Sequence, residues 1–331
     1  MNLESMRAGL CAVLLGLACQ TVSAQAGDAD AETFPSRPIR MVVGSATGAT
    51  TDSAGRIAAE VLARGLGQPV VVVNQAGATG TISVKALTRE KPDGYSLLFY
   101  YSDQLLVAPL VFKEPPYDPV TDIAHVGSVV RSLGFVLAVP PGSPATSFKE
   151  FVQLARSTPK QLSYGTWGVG SSAHLGFELM NIHFGTAMVH VPYKGGGPSY
   201  QAAMGGEIDV VSGTSFVQLL KAGRLRPLAI GGTQRSPDFP ELPTLVELGL
   251  GEIIFAPVFY GIAAPPGTPK PLLDKIRSVL ATGMSTPEVA ARLNGIAVVP
   301  AVSSAEDIVA AIRKGREAYR PIVEKLGLVT Q

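Results

Sequence analysis

The chain has 331 residues, room for two domains of ordinary size. Hydrophobic residues make up 46%, charged residues 16%, and the net charge is +1. That composition supplies a large core and argues against disorder, and the missing basic excess leaves nucleic acid and acidic membrane surfaces without electrostatic support as partners.

The first elements read as an export signal. Arg7 precedes the apolar run Ala8–Ala18, and Val22-Ser-Ala24 is a small-x-small cleavage pattern. The run is too short to span a bilayer, which takes about 20 apolar residues. Residues 1–24 are therefore expected to be a signal peptide, cleaved near Ala24, of a periplasmic protein. Gly16 stands where a lipoprotein signal usually has Leu, which argues against a lipid anchor on Cys19. Cys11 and Cys19 both fall in this leader, so the mature chain is expected to have no disulfide, thiolate metal site or cysteine nucleophile.

A repeated strand–loop–helix rhythm follows. Ile39–Val43 is an apolar strand. Gly44-Ser-Ala-Thr-Gly-Ala-Thr-Thr-Asp52 is a loop of small and hydroxylated residues. Ala54, Ile57, Ala58, Val61, Leu62 and Leu66 then recur at helical spacing, with Gly67 as the stop. Val70–Val73 reads as a buried strand, Asn74–Gly80 as a second small-residue loop, Ile82–Thr88 as a short helix and Ser96–Tyr101 as a third strand. Phe135–Val139 is a strand, Ser147-Phe-Lys-Glu150 a capping box that starts a helix, and Leu162–Thr166 a strand before the loop Trp167-Gly-Val-Gly-Ser-Ser172. A helix carrying Leu175, Leu179 and Met180 comes next. Ala187–Val191, Ile208–Ser212 and Pro227–Ile230 are short strands. Ile253–Ala263 is a longer strand-like stretch, followed by helices near 271–282 and 306–326. Such alternation predicts an α/β chain of doubly wound parallel sheets covered on both faces. The stretch after Phe255 is too poor in strands to build its own sheet, so the chain is expected to cross between two lobes near 131–135 and again near 253–260.

Doubly wound sheets bind ligands beyond the carboxyl ends of their strands, and a helix N-terminus favours an anion there. In the first loop Gly48 permits close backbone approach, and Thr50 and Thr51 offer hydroxyls. Asp52 suits a first-turn residue that orients the loop, or a partner for a ligand amine or water. The bland alternative is a tight turn capped by Thr51 or Asp52. In the second loop Ser171 and Ser172 stand at a helix start, as ligand contacts or as plain caps. Trp167, the single tryptophan, suits a pocket wall. Tyr100 and Tyr101 end the third strand, where alternation turns one of them to the cleft and the other under a helix. Asp103 reads as a helix cap. No GxxxxGK[ST], GxSxG or first-turn GxGxxG motif occurs, and the four histidines show no HxxxH spacing. No metal and no cofactor is expected. A Ser171–His174 nucleophile–base pair would lack an orienting acid, which leaves a secreted α/β hydrolase as the rival class.

Several segments together resemble one family over essentially the whole mature chain. They are Pro35–Val43, Gly67-Gln-Pro-Val-Val-Val-Val-Asn74, Pro92-Asp-Gly-Tyr95, Pro116-Tyr-Asp-Pro119, Val189-His-Val-Pro-Tyr-Lys-Gly195 and Pro243-Thr-Leu-Val-Glu-Leu-Gly249. The chain is similar to the tripartite tricarboxylate transporter substrate-binding proteins, also known as Bordetella uptake gene products. The resemblance implies a type II periplasmic-binding-protein fold that closes like a Venus flytrap, with lobe 1 at 34–133 and 256–331 and lobe 2 at 134–255. It implies a monomer that captures a small carboxylate, without catalysis, and delivers it to two membrane subunits; a ligand sensor on a membrane receptor is the other non-enzymatic option. The loops that hold ligand in the family match Ser45–Asp52 and Thr166–Ser172. The expected ligand-binding set is Ser45, Thr47, Gly48, Ala49, Thr50, Thr51, Asp52, Tyr100, Tyr101, Ser102, Thr166, Trp167, Gly168, Gly170, Ser171, Ser172, Tyr193, Gly213 and Thr214. The chain also departs from the family pattern. Gly44 and Ser45 replace a Pro-Phe pair, Ala49 a Gly and Trp167 a small residue, and Gly213 stands where Asp is frequent. These exchanges point to an apolar or aromatic carboxylate, or a dicarboxylate, rather than citrate.

Overall fold

The computed structural model describes residues 33–329 except 133, 159, 215, 233, 237 and 251–257. The expected leader and both cysteines lie outside the described residues.

Strands β1 (Ile39–Val43), β2 (Val70–Asn74), β3 (Ser96–Tyr101), β4 (Ala124–Ser132), β10 (Phe259–Ala264) and β11 (Val298–Pro300) form a six-stranded sheet in the order β11-β4-β10-β3-β1-β2. Strands β5 (Val136–Val139), β6 (Ser163–Thr166), β7 (Val189–Pro192), β8 (Val210–Gly213) and β9 (Arg226–Ile230) form a second sheet, ordered β7-β6-β8-β5-β9. Both sheets are mixed, which corrects the all-parallel expectation. β1 runs parallel to β2 and β3 while β10 is antiparallel to β3 and β4. In the second sheet β6 is parallel to β7 and β8, and β5 is antiparallel to β8 and β9. β4, β5, β9 and β10, which make most of the antiparallel pairs, flank the two crossings between sheets, where among the described residues no crossover helix intervenes to impose a parallel return.

Helices follow the parallel strands. Helix α1 (Thr50–Leu66) buries Ala54, Ile57, Ala58, Val61 and Leu62 and ends on Gly67 in the left-handed conformation, as the 3.6-residue spacing predicts. The strand β1 is covered on both faces: Met41 and Val43 join the core under α1, while Val42 packs with Val84, Leu98 and Tyr100. β2 is an edge strand instead of a buried one, with Val71 52% exposed. Short helices α2 (Thr81–Leu87) and α3 (Asp103–Leu106) follow β2 and β3. In the second sheet's half, α4 (Phe148–Ser157) begins at Ser147, whose hydroxyl accepts the Glu150 N–H. The Glu150 carboxylate turns to Thr146, so the reciprocal half of the capping box is not made. α5 (Ser172–Phe184) follows β6, α6 (Gly196–Met204) follows β7, and α7 (Val217–Lys221) follows β8. The closing helices are α8 (Lys270–Gly283), α9 (Pro287–Asn294) and α10 (Ala305–Lys325), the last with a complete capping box between Ser304 and Asp307. β4, α6, α7, α9 and β11 are additions to the elements read from sequence.

The two crossing segments are tied to each other. Ser132 donates its N–H to the Val258 carbonyl at 2.7 Å, and its Oγ accepts the Val258 N–H at 2.9 Å. The carboxyl ends of the parallel strands of both sheets therefore look toward one cleft.

Candidate functional site

That cleft encloses a cavity of about 470 Å³, within the range of small-ligand sites. The first sheet lines it with the loop after β1, the one-turn helix at Ala78–Gly80, Tyr101, Val111 and Phe112. The second sheet contributes Phe135, Trp167–Val169, Pro192–Gly196, Tyr200 and Thr214, and Val258 and Tyr260 line the floor.

The loop after β1 is fixed from behind. Asp52, 3% exposed, accepts the Gly48 N–H at 3.0 Å, the Asn74 amide at 2.8 Å and Arg56 at 3.0 Å. Burial pushes its acid up, but the Arg56, Gly48 and Asn74 donors hold it below the usual carboxylate value. The carboxylate is thus spent inside the protein, in the first-turn orienting role its position suggests. Gly48 adopts φ +83°, which a β-carbon would oppose. The helix α1 begins at Ala49 with no side-chain cap. Thr50 and Thr51, in the first turn whose N–H groups a helix cannot satisfy itself, line the cavity beside Ser45. Neither Thr51 nor Asp52 caps the helix.

A Gln104 amide knits the neighbouring loops. Its Oε1 accepts the Tyr101 N–H at 3.0 Å, and its Nε2 donates to the Gly80 carbonyl at 2.9 Å and to Ser83 at 3.0 Å. A β-carbon on Gly44 would lie 2.6 Å from that amide, which is why Gly can follow β1 here.

Facing α1 across the cleft is the start of α6. Gly195 at its N-cap makes no side-chain cap bond, and Gly195 and Gly196 line the cavity with Lys194. Gly195 packs against Ala46, and Gly197 against Gly48. Two uncapped helix starts, one from each sheet's half, thus converge at one end of the cavity.

The start of α5 is different. Asp103, leaving β3 in the other half, is 2% exposed, and its Oδ2 accepts the Ser172 N–H at 2.9 Å, the Ser172 hydroxyl at 3.0 Å and the Trp167 indole N–H at 2.9 Å. Burial holds the Asp103 acid above the usual carboxylate value, although those donors pull the other way. Asp103 is a cap, as its sequence context suggests, but of a helix in the other half. Ser171 caps α5 through the His174 N–H at 3.2 Å and donates to the Gly168 carbonyl at 2.8 Å. His174 takes the Gly170 N–H on Nδ1 and stacks on His190 at 3.9 Å between centroids. The hydroxyl of Ser171 and the ring of His174 are thus engaged by backbone groups and not by each other.

Of the expected set, Ser45, Ala49, Thr50, Thr51, Tyr101, Trp167, Gly168, Tyr193 and Thr214 line the cavity. Thr47, Gly48, Asp52, Ser102, Thr166, Gly170, Ser171 and Ser172 are not among its lining, and Asp52, Ser171 and Ser172 serve its loops and helix starts through their hydrogen bonds. Tyr101 is the tyrosine that faces the cleft; Tyr100 packs on the other face among Val42, Leu98 and Ile308. Gly213 makes room for Tyr200, whose hydroxyl would lie 2.0 Å from a β-carbon there, so no Asp fits. Trp167 stacks on Phe135, with centroids 5.5 Å apart and planes at 7°. Burial raises the phenols of Tyr101 and Tyr260, the latter to about 12, so both stay protonated at neutral pH. Phe135, Val258, Tyr260, Tyr200 and the 77–80 and 194–196 loops were not anticipated. The glycine run Lys194-Gly-Gly-Gly197 before a helix and the glycine loop after β2 were the available signals. Tyr260 enters the site through antiparallel pairing with Tyr101, which local pattern does not reveal.

Comparison with known proteins agrees with this architecture. Residues 54–328 match the tripartite tricarboxylate transporter family receptor. The chain belongs to that family. A UPF0065 protein of Bordetella pertussis is 33% identical over 92% of this chain and 94% of its own length. Among solved structures, the periplasmic binding protein BugD superposes with a TM-score of 0.84 at 29% identity, covering 90% of this chain and all of that one. A Rhodopseudomonas palustris protein with adipate gives 0.83 at 28% identity over 89% and 98%, and MatC of the same organism with bound malate gives 0.80 at 26% over 88% and 100%. The fold of this family member is therefore that of the periplasmic binding proteins, its role is solute binding, and the family and its structural neighbours are binding proteins rather than enzymes. The hydrolase alternative falls with that, as the separate bonding of Ser171 and His174 already suggests.

Proposed function

We propose that this receptor captures a small carboxylate in the cleft and delivers it to the membrane subunits of a tripartite tricarboxylate transporter. The carrying observation is the pair of uncapped helix starts, α1 at Ala49–Thr51 and α6 at Gly195–Gly196, facing one enclosed cavity. Their N–H groups and partial positive charge suit a carboxylate, and Ser45, Thr50, Thr51 and Lys194 add donors. The neighbours holding adipate and malate support the same ligand class. In this reading the lobes are 34–133 with 256–331 and 134–255, the leader 1–24 is removed near Ala24, and the protein works as a monomer. The ligand favours the closed form, which couples capture to delivery. Native mass spectrometry of protein purified from the periplasm, with a thermal-shift panel of aliphatic and aromatic acids, tests it. A retained acid, or one that raises the melting temperature in a saturable way, is expected. A panel in which no carboxylate binds overturns the proposal.

A further inference from the structure

The three helix starts are unequal: those of α1 and α6 line the cavity, and that of α5 lies behind the Trp167–Val169 wall. Those of α1 and α6 meet at one end of the cavity, with Lys194, the charged residue of the lining, on the segment that packs against Ala46. The third, at α5, already holds a carboxylate, that of Asp103, bound by Ser172 and Trp167. Much of the rest of the lining is apolar or aromatic, with Ala108, Val111, Phe112, Phe135, Val169 and Val258, and among its hydroxyls that of Thr79 donates to the Val169 carbonyl. An ionised group enclosed among such side chains without donors pays a desolvation cost of several kcal/mol, and Asp103 behind Trp167 adds like-charge repulsion.

We infer that the site takes a monocarboxylate with an apolar chain or ring, and that Asp103 is the specificity-determining residue that excludes a second carboxylate by occupying the α5 helix start itself. The carboxylate of the ligand sits at the α1–α6 end, and its body lies along the Phe135–Trp167 stack. This rests on the reading that a small carboxylate binds in this cavity. It also separates this chain from the neighbours whose structures hold adipate and malate, each with two carboxylates.

Matched pairs of probes isolate the second carboxylate: hexanoate against adipate, and benzoate against terephthalate, titrated calorimetrically into the wild type, Asp103→Asn and Asp103→Ala. The wild type is expected to bind each monoacid at least about tenfold more tightly than its diacid, the equivalent of one lost charge-assisted contact. In Asp103→Ala, and less so in Asp103→Asn, that ratio is expected to fall toward one through gained diacid affinity. The Asn variant keeps the shape and an acceptor, so it tests the charge even where the Ala variant does not fold. Diacids that bind the wild type as well as their monoacids overturn the inference while leaving the carboxylate reading intact. A preference for monoacids that survives in a folded variant overturns the role of Asp103. Absence of binding by all four probes to folded wild type counts against the carboxylate reading itself, and the inference falls with it.

Discussion

The helix starts of α1 and α5 occupy matching places, each after a strand whose carboxyl end faces the cleft, and each is preceded by glycines and hydroxyl residues. The chain has made opposite use of them. At α1 the local carboxylate, Asp52, is turned back to hold the loop, and the first turn is open. At α5 a carboxylate from the far half closes it. Similar sequence signatures thus end as a binding pole and as a clasp, and the difference lies in where one aspartate comes from and in the N-cap, Ala49 at α1 and Ser171 at α5.

The clasp is where the largest effect is expected. Asp103→Ala leaves the Trp167 indole and the Ser172 N–H and hydroxyl without their buried acceptor, and should cost about 2–4 kcal/mol of stability, read by urea denaturation of the ligand-free protein. An unchanged midpoint would mean that α5 needs no partner there. At the open pole, Thr51→Val removes a cavity-facing hydroxyl at nearly constant volume. Its expected effect is a loss of about tenfold in affinity for the captured acid with little change in melting temperature. The reverse pattern, lost stability with intact affinity, would make α1 a structural start like α5.

Smaller is Asp52→Asn, which weakens the bonds to Gly48 and Arg56 and should cost about 1 kcal/mol. Because the folded state lowers the Asp52 acid, this contribution is present above its unfolded value of 3.8 and fades as pH falls through the folded value. Melting curves at pH 7 and pH 3 should therefore show the gap between wild type and variant narrowing in acid. An effect confined to acid, and absent at neutral pH, concerns His190, stacked on His174 in the first turn of α5. Burial and the His174 ring lower it from 6.5 to about 3, so the unfolded chain takes up the proton first. Stability should decline as pH falls from 6.5 toward 3, and His190→Phe should flatten that part of the curve. An unaltered slope would mean that the ring protonates freely beside the clasp.

How much of this was legible in the sequence depends on the range of the contact. β1, α1 and β3 were, because their apolar periods and the stop at Gly67 are local. β4 was not read, since Gly127, Ser128 and Ser132 interrupt its apolar residues. The α6 start was not read as a helix either, because Gly-Gly-Pro198 looks like a breaker although Pro fits a first helical turn. The sequence puts the loop of residues 44–52 at the strand's carboxyl edge and Trp167 at a pocket wall, and it leaves open which of Tyr100 and Tyr101 faces the cleft. The loop's partner jaw was placed at 166–172, whereas the uncapped start facing it across the cleft is at 195–196. The former is closed by the local Ser171 cap together with the contact of Asp103 with Ser172, 69 residues apart, and no single-sequence pattern carries a pairing of that range.

Asp103 can also be regarded as a solute on a leash. Held in place by the folded chain, it meets that helix start without the loss of translational freedom that a diffusing carboxylate would incur. The fold has thus filled one anion-favouring helix start in advance and left another, at α1, without a side-chain cap.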